Sequence, residues 1–170
     1  MTAGEAFLTQ ARSDWEVCLD LMHRRKAWPA CHALHYLQMA VEKIAKAAIC
    51  ADDSPPPRTH AVSGRLVQLL QTPAVARHLG FEADRMGAYR ALLLAVSPLF
   101  AEIERLHPAV PAGTQGPNVE YPWPVQPSSE DSEWVAPASH PFDLAERLRQ
   151  GNGARLMDLL RRMFERAPVA

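Results

Sequence analysis

A chain of 170 residues holds one domain with a full core and is too short for two comfortable ones. Hydrophobic residues at 48%, charged residues at 22% and a net charge of -1 are ordinary globular values. They exclude a general attraction to the phosphate backbone of duplex DNA and leave only a local basic patch open. Cys18, Cys31 and Cys50 are odd in number and avoid CxxC spacing, so they read as small core residues in a reducing compartment. "MTAGEAFLTQARSDW" lacks a basic start followed by an apolar run. No apolar stretch approaches the roughly 18 residues of a spanning segment. The expectation is a soluble cytoplasmic protein with no membrane partner.

From Thr2 to about Lys26, Phe7, Leu8, Ala11, Trp15, Cys18, Leu19 and Met22 recur at helical spacing, with Asp20 and Arg24 as a supporting pair. "RRKAWPAC" breaks the pattern, and Pro29 suits the first turn of a second helix running to about Ala51. The short break predicts antiparallel neighbours. This second helix carries two stripes. Leu34, Leu37, Val41, Ile44 and Ala48 form an apolar one, and His32, His35, Met39, Glu42 and Lys46 a polar one. The first predicts a bundle. The second reads mainly as scaffold, with Glu42 tying helices together by accepting backbone N–H groups near Thr59 and His60, and with Lys43 and Lys46 facing out.

"DDSPPPRTH" predicts a rigid turn, after which Thr59 caps a third helix over His60–Gln71 with Leu66, Leu69 and Leu70 inside. A short helical piece covers Pro73–Leu79. The longest pattern runs from about Glu82 to His107, through Met86, Tyr89, Leu93, Val96, Phe100 and Ile103, with Pro98 expected to kink it near Leu94. Residues 108–141 carry eight of the 15 prolines, the acidic tip "PSSEDSE" and three aromatics, Tyr121, Trp123 and Trp134. Such a segment inside a compact domain is functional or disordered. A last helical region spans Phe142–Ala167, broken by "QGNG", with Asn152 as the cap of a final helix burying Leu156, Leu159, Leu160 and Met163. The fold expected is an all-α up-and-down bundle of four to five helices, one domain over residues 1–170, with a long proline-rich loop before the last helices.

The chemical signals are sparse. His32 and His35 lie one turn apart, and His60 or Glu42 could complete a zinc set with them, but HxxH recurs by chance and no HExxH or CxxC accompanies it. Helix-interface hydrogen bonding is the expected role, with no metal and no cofactor. GxSxG, a Walker loop and GxGxxG are missing, which argues against nucleotide hydrolysis and dinucleotide chemistry. "HRRKAW" and "LLRRMFER" can hold phosphates, although charged helix ends account for them as well.

"AWPACHALHYLQMAVEKIAKAAI" followed by "PPRTHAVSGRLVQLL" resembles the first half of a HEPN domain. His35, Gln38, Ala40, Glu42, Lys43, Lys46 and Ala47 match that family's second-helix pattern, and Thr59 and His60 its T-H start of the third helix. The resemblance covers about Phe7 to Leu70, with "NVEYPW" similar to a later Tyr-Pro motif of some members. It implies a bundle of four or five helices, commonly a homodimer, in prokaryotic defence or toxin–antitoxin systems, often beside a nucleotidyltransferase-type partner protein. Active members are metal-independent ribonucleases with an R-x(4–6)-H motif. Here the only such spacing is Arg25 and His32, while later Arg105 stands only two positions before His107, and Glu120 replaces an arginine before Tyr121. The expectation is therefore a non-catalytic HEPN-like binding module acting with a protein, nucleotide or RNA partner. Its binding candidates are His35, Glu42, His60, Tyr121 and Trp123. The alternative is a metal-independent endoribonuclease using Arg105 and His107, or Arg25 and His32.

Overall fold

The computed structural model describes residues 1–24, 26–50, 57–109, 117–125 and 133–166. Helix α1, Ala3–His23, starts at Thr2, whose hydroxyl accepts the Glu5 N–H at 3.2 Å while the Glu5 carboxylate accepts the Thr2 N–H. Helix α2, Ala30–Ile49, follows a short turn and runs back along α1. Gly4 lies against Ala47 and Cys50, and Asp14 pairs with Lys43, so the two helices are antiparallel as their spacing predicts. On α2, Leu34, Leu37, Val41 and Ile44 are buried, whereas Ala48 is exposed.

Helix α3 spans Ser63–Leu70, three residues later than expected. Thr59 is not its cap. Its hydroxyl accepts the Ala61 N–H at 3.0 Å, a turn two residues long that competes with helix initiation. Helix α4, Pro73–His78, is capped by Thr72, and a 3-10 turn at Ala83–Arg85 leads into α5, Met86–Glu104. Helix α5 is the centre of the bundle and packs on α2, α3 and α7. It continues through Pro98. Pro98 has no N–H to offer the carbonyl of Leu94, and Leu94 is 76% exposed.

Two two-residue strands, β1 at Trp123–Pro124 and β2 at Trp134–Val135, pair antiparallel with Trp123 opposite Val135. They lie in the proline-rich stretch. Most of the tip "PSSEDSE" lies outside the described residues. Trp123 is buried, with its ring edge-on to His140 and Phe142, whereas Tyr121 and Trp134 are exposed. Helices α6, Asp143–Arg147, and α7, Gly151–Arg166, close the domain. Asn152 sits inside the first turn of α7 rather than capping it, because Gly151 takes the left-handed conformation (φ +52°) and turns the chain one residue earlier.

Among the described residues, five helices have eight or more residues and share one core reaching from Ala11 to Phe164. The protein is an all-α bundle. Trp15 of α1 stacks on Phe164 of α7 at 5.0 Å, joining the two ends of the chain. Leu34, Leu156 and Leu160 are fully buried, each contributing about 1.5–3 kcal/mol of transfer free energy.

Ala83–Glu104 is 22 residues long and contains an 18-residue window of mean hydropathy 1.3, long and apolar enough to cross a membrane by length and composition alone. Arg90 and the charged residues at both ends leave its uninterrupted uncharged run short, at 91–101. Its apolar face is already taken up by the bundle core: Tyr89, Leu93, Val96, Leu99, Phe100 and Ile103 are buried, and the Tyr89 hydroxyl donates to the Leu70 carbonyl at 2.7 Å.

Candidate functional site

The polar stripe of α2 does not face solvent throughout. Glu42 is buried between α2 and the start of α3, and both carboxylate oxygens are used. Oε1 accepts from Lys46 Nζ at 2.7 Å, and Oε2 accepts from Gln38 Nε2 at 2.9 Å and from His60 Nδ1 at 2.9 Å. Burial pushes the Glu42 pKa up, but the bonds from Lys46, His60 and Gln38 outweigh it and hold the carboxyl below its ordinary range.

Two expectations change accordingly. Lys46 is buried against Glu42, and Lys43 turns onto the buried Asp14 of α1 at 2.5 Å, so neither lysine faces out. Their aliphatic stems cover the seam, and their charges find carboxylates instead of water. Glu42 also binds the His60 side chain rather than backbone N–H groups. The backbone role falls to Glu104, whose Oε1 accepts the Ser63 N–H at 2.5 Å at the first residue of α3.

His60 stacks on His107 with ring centroids 3.7 Å apart and planes 16° from parallel. The Nδ1 of His107 accepts the Ala109 N–H at 3.0 Å, so in the neutral ring the proton sits on Nε2. That nitrogen lies 3.9 Å from Glu120 Oε1, and His35 Nδ1 lies 3.6 Å from the same oxygen. Burial and the neighbouring His60 lower the His107 pKa, against the opposing pull of Glu120 and Glu42. Glu120 is placed by Asn118, whose Oδ1 accepts both the Glu120 N–H at 2.9 Å and the Tyr121 N–H at 2.8 Å. The Val119 N–H bonds the Leu106 carbonyl at 3.2 Å, which docks this turn on the end of α5.

Three histidines and two glutamates thus converge from α2, the α3 approach, the end of α5 and the "NVEYPW" segment. Of the residues singled out in the sequence, His35, Glu42, His60 and His107 come together. His32 is elsewhere, exposed and edge-on to Trp28 at 6.1 Å, and Arg25 lies outside the described residues. Arg105 and His107 do not share surroundings. Arg105 lines a cleft with Phe142 and Asp143, while His107 stacks inside the cluster, because two residues apart at a helix end point to different sides. Trp123 is core, and Tyr121 stands exposed beside Glu120.

Glu42, His60 and His107 offer ligand atoms within 4.8 Å of one another, a spacing that invites a metal. The ring geometry opposes it. Stacked imidazoles hold their in-plane lone pairs nearly parallel, so one ion cannot lie in both ring planes without a ring turning. Lys46 also occupies one Glu42 oxygen, and the backbone N–H of Ala109 fixes the His107 proton on the nitrogen facing the cluster. The enclosed cavity beside Glu42 and His60 measures about 10 Å³, too small for any organic ligand. Chemically, the arrangement is a buried carboxylate orienting one imidazole, with a neutral second imidazole stacked on it.

Comparison with protein-family models, with curated proteins and with solved structures finds no match to the chain.

Proposed function

We propose that the chain is a HEPN-like interaction module, without nuclease chemistry of its own, that forms a homodimer and binds a partner protein of a prokaryotic defence or toxin–antitoxin system. The observation that carries this reading is Glu120. Its carboxylate stands beside His107 and His35, where phosphate chemistry needs a cation, and Lys46 is already spent on Glu42. A scissile phosphate approaching His107 meets like charge. Exposed Tyr121, Val125 and Trp134 follow on the same segment and suit a protein contact better than a solvated loop. Free, buried cysteines agree with a reducing cytoplasm.

The alternative, a metal-independent endoribonuclease, draws on one specific observation, the Glu42–His60 pair with neutral His107 stacked beside it. Such a pair supplies an oriented base and a nearby acid for 2′-OH attack. Incubating the purified protein with RNA in EDTA separates the two. The module reading expects no cleavage by the wild type, and sedimentation as a dimer. Cleavage that resists EDTA and disappears in His107→Ala with the fold intact overturns it in favour of the nuclease.

A further inference from the structure

A second site lies between the end of α5 and the start of α6, apart from the histidine cluster and independent of the HEPN reading. This cleft has a volume of about 370 Å³, in the range of small-molecule pockets. Leu106, Pro117, Pro141 and Phe142 give it an apolar wall. The His140 ring is fixed edge-on against Trp123 at 5.2 Å and Phe142 at 4.7 Å, so that side is rigid. Arg147 also lines the cleft, but both of its terminal nitrogens are bound to Glu102, at 2.8 and 2.9 Å, in a fork that cancels its charge.

Arg105 and Asp143 are different. Both line the cleft and both are exposed, yet among the described residues neither side chain has an ion-pair or hydrogen-bond partner, and they do not reach each other. Asp143 repels a simple anion, and Arg105 repels a simple amine. An unpaired cation and an unpaired anion lining one cleft with an apolar wall complement a molecule that bears both charges and an apolar side group. We infer that the α5–α6 cleft binds an apolar α-amino acid as its zwitterion, with the carboxylate on Arg105, the ammonium on Asp143 and the side group against Phe142 and Leu106.

Titration calorimetry on the full chain tests this with L-phenylalanine, its amide and its N-acetyl derivative. L-Phenylalanine gives saturable heat, while the amide and the N-acetyl form, each missing one charge, bind about tenfold more weakly or worse. Arg105→Ala abolishes the preference for the amino acid over the amide, and Asp143→Asn abolishes the preference over the N-acetyl form. Both residues are on the surface, and circular dichroism confirms that the variants fold. The inference is overturned if none of the common amino acids binds at millimolar concentration, or if neither variant changes the binding. It is equally overturned if acetate or inorganic phosphate binds as well as the amino acid, since the cleft is then a simple anion site.

Discussion

Removing the Glu42 carboxylate strands a buried ammonium. In Glu42→Ala, Lys46, with its side chain 11% exposed, loses its partner at 2.7 Å, and Gln38 and His60 each lose a 2.9 Å bond. Breaking a buried pair from one side costs about 3–5 kcal/mol, a large part of the 5–15 kcal/mol that keeps a domain folded. Equilibrium urea unfolding followed by helical circular dichroism reads this as a midpoint lower by about 2 M. Glu42→Gln costs less, about 1–2 kcal/mol, because the Gln38 amide, whose Oε1 is buried without a partner, can turn over to accept from the new amide. The pH profile gives an independent signature. The Glu42 pKa is lowered on folding, so its contribution is complete above its ordinary value of 4.5 and is lost as pH falls through the lowered native value. Glu42→Gln lacks that acid component. Replacing Glu42 and Lys46 together with leucine and methionine removes the stranded charge and costs less than the sum of the single changes. A Glu42→Ala variant within about 0.5 kcal/mol of the wild type refutes the reasoning, since a surface position behaves that way.

Three further outcomes follow from the same geometry. His107 titrates below the ordinary histidine value of 6.5 because burial and His60 disfavour its charged form. The unfolded chain therefore binds its proton first, and stability falls as pH drops from 6.5 toward the native value; an NMR titration midpoint at or above 6.5 contradicts this. Gly153→Ala would place a Cβ 2.0 Å from the Arg147 carbonyl oxygen where α7 crosses the end of α6, so a loss of about 1–3 kcal/mol or more is expected in thermal unfolding. Tyr89→Phe deprives the buried Leu70 carbonyl at the end of α3 of its 2.7 Å donor and costs about 1 kcal/mol, with near-native circular dichroism.

The bundle was legible because apolar residues repeat at helical spacing wherever a helix meets the core. Leu34, Leu37, Val41 and Ile44 need no tertiary information to be placed. Glu42 was legible too, since it borders that stripe. Lys46 was misjudged because lysine reads as solvent-facing, although the steps of four from Gln38 to Glu42 to Lys46 are visible in the sequence and mark a hydrogen-bonded ladder. Glu104, Asn118 and the nearness of Glu120 to His35 could not be read at all. They depend on the approach to α3 and the 117–125 turn meeting at one end of α5, and no local pattern encodes a meeting of segments so far apart.

The bond from the Ser63 N–H to Glu104 bears on how much chain must be closed to complete each element. Within the α1–α2 hairpin, the Asp14–Lys43 pair joins residues 29 positions apart. The first turn of α3, in contrast, is completed by a carboxylate 41 residues downstream, from the last residue of α5. The cluster spans a similar length of chain, because His60 stands just before α3 and His107 just after α5. The polar site is thus closed by longer loops of chain than the helix pair that carries it, and ordering it costs more loop-closure entropy.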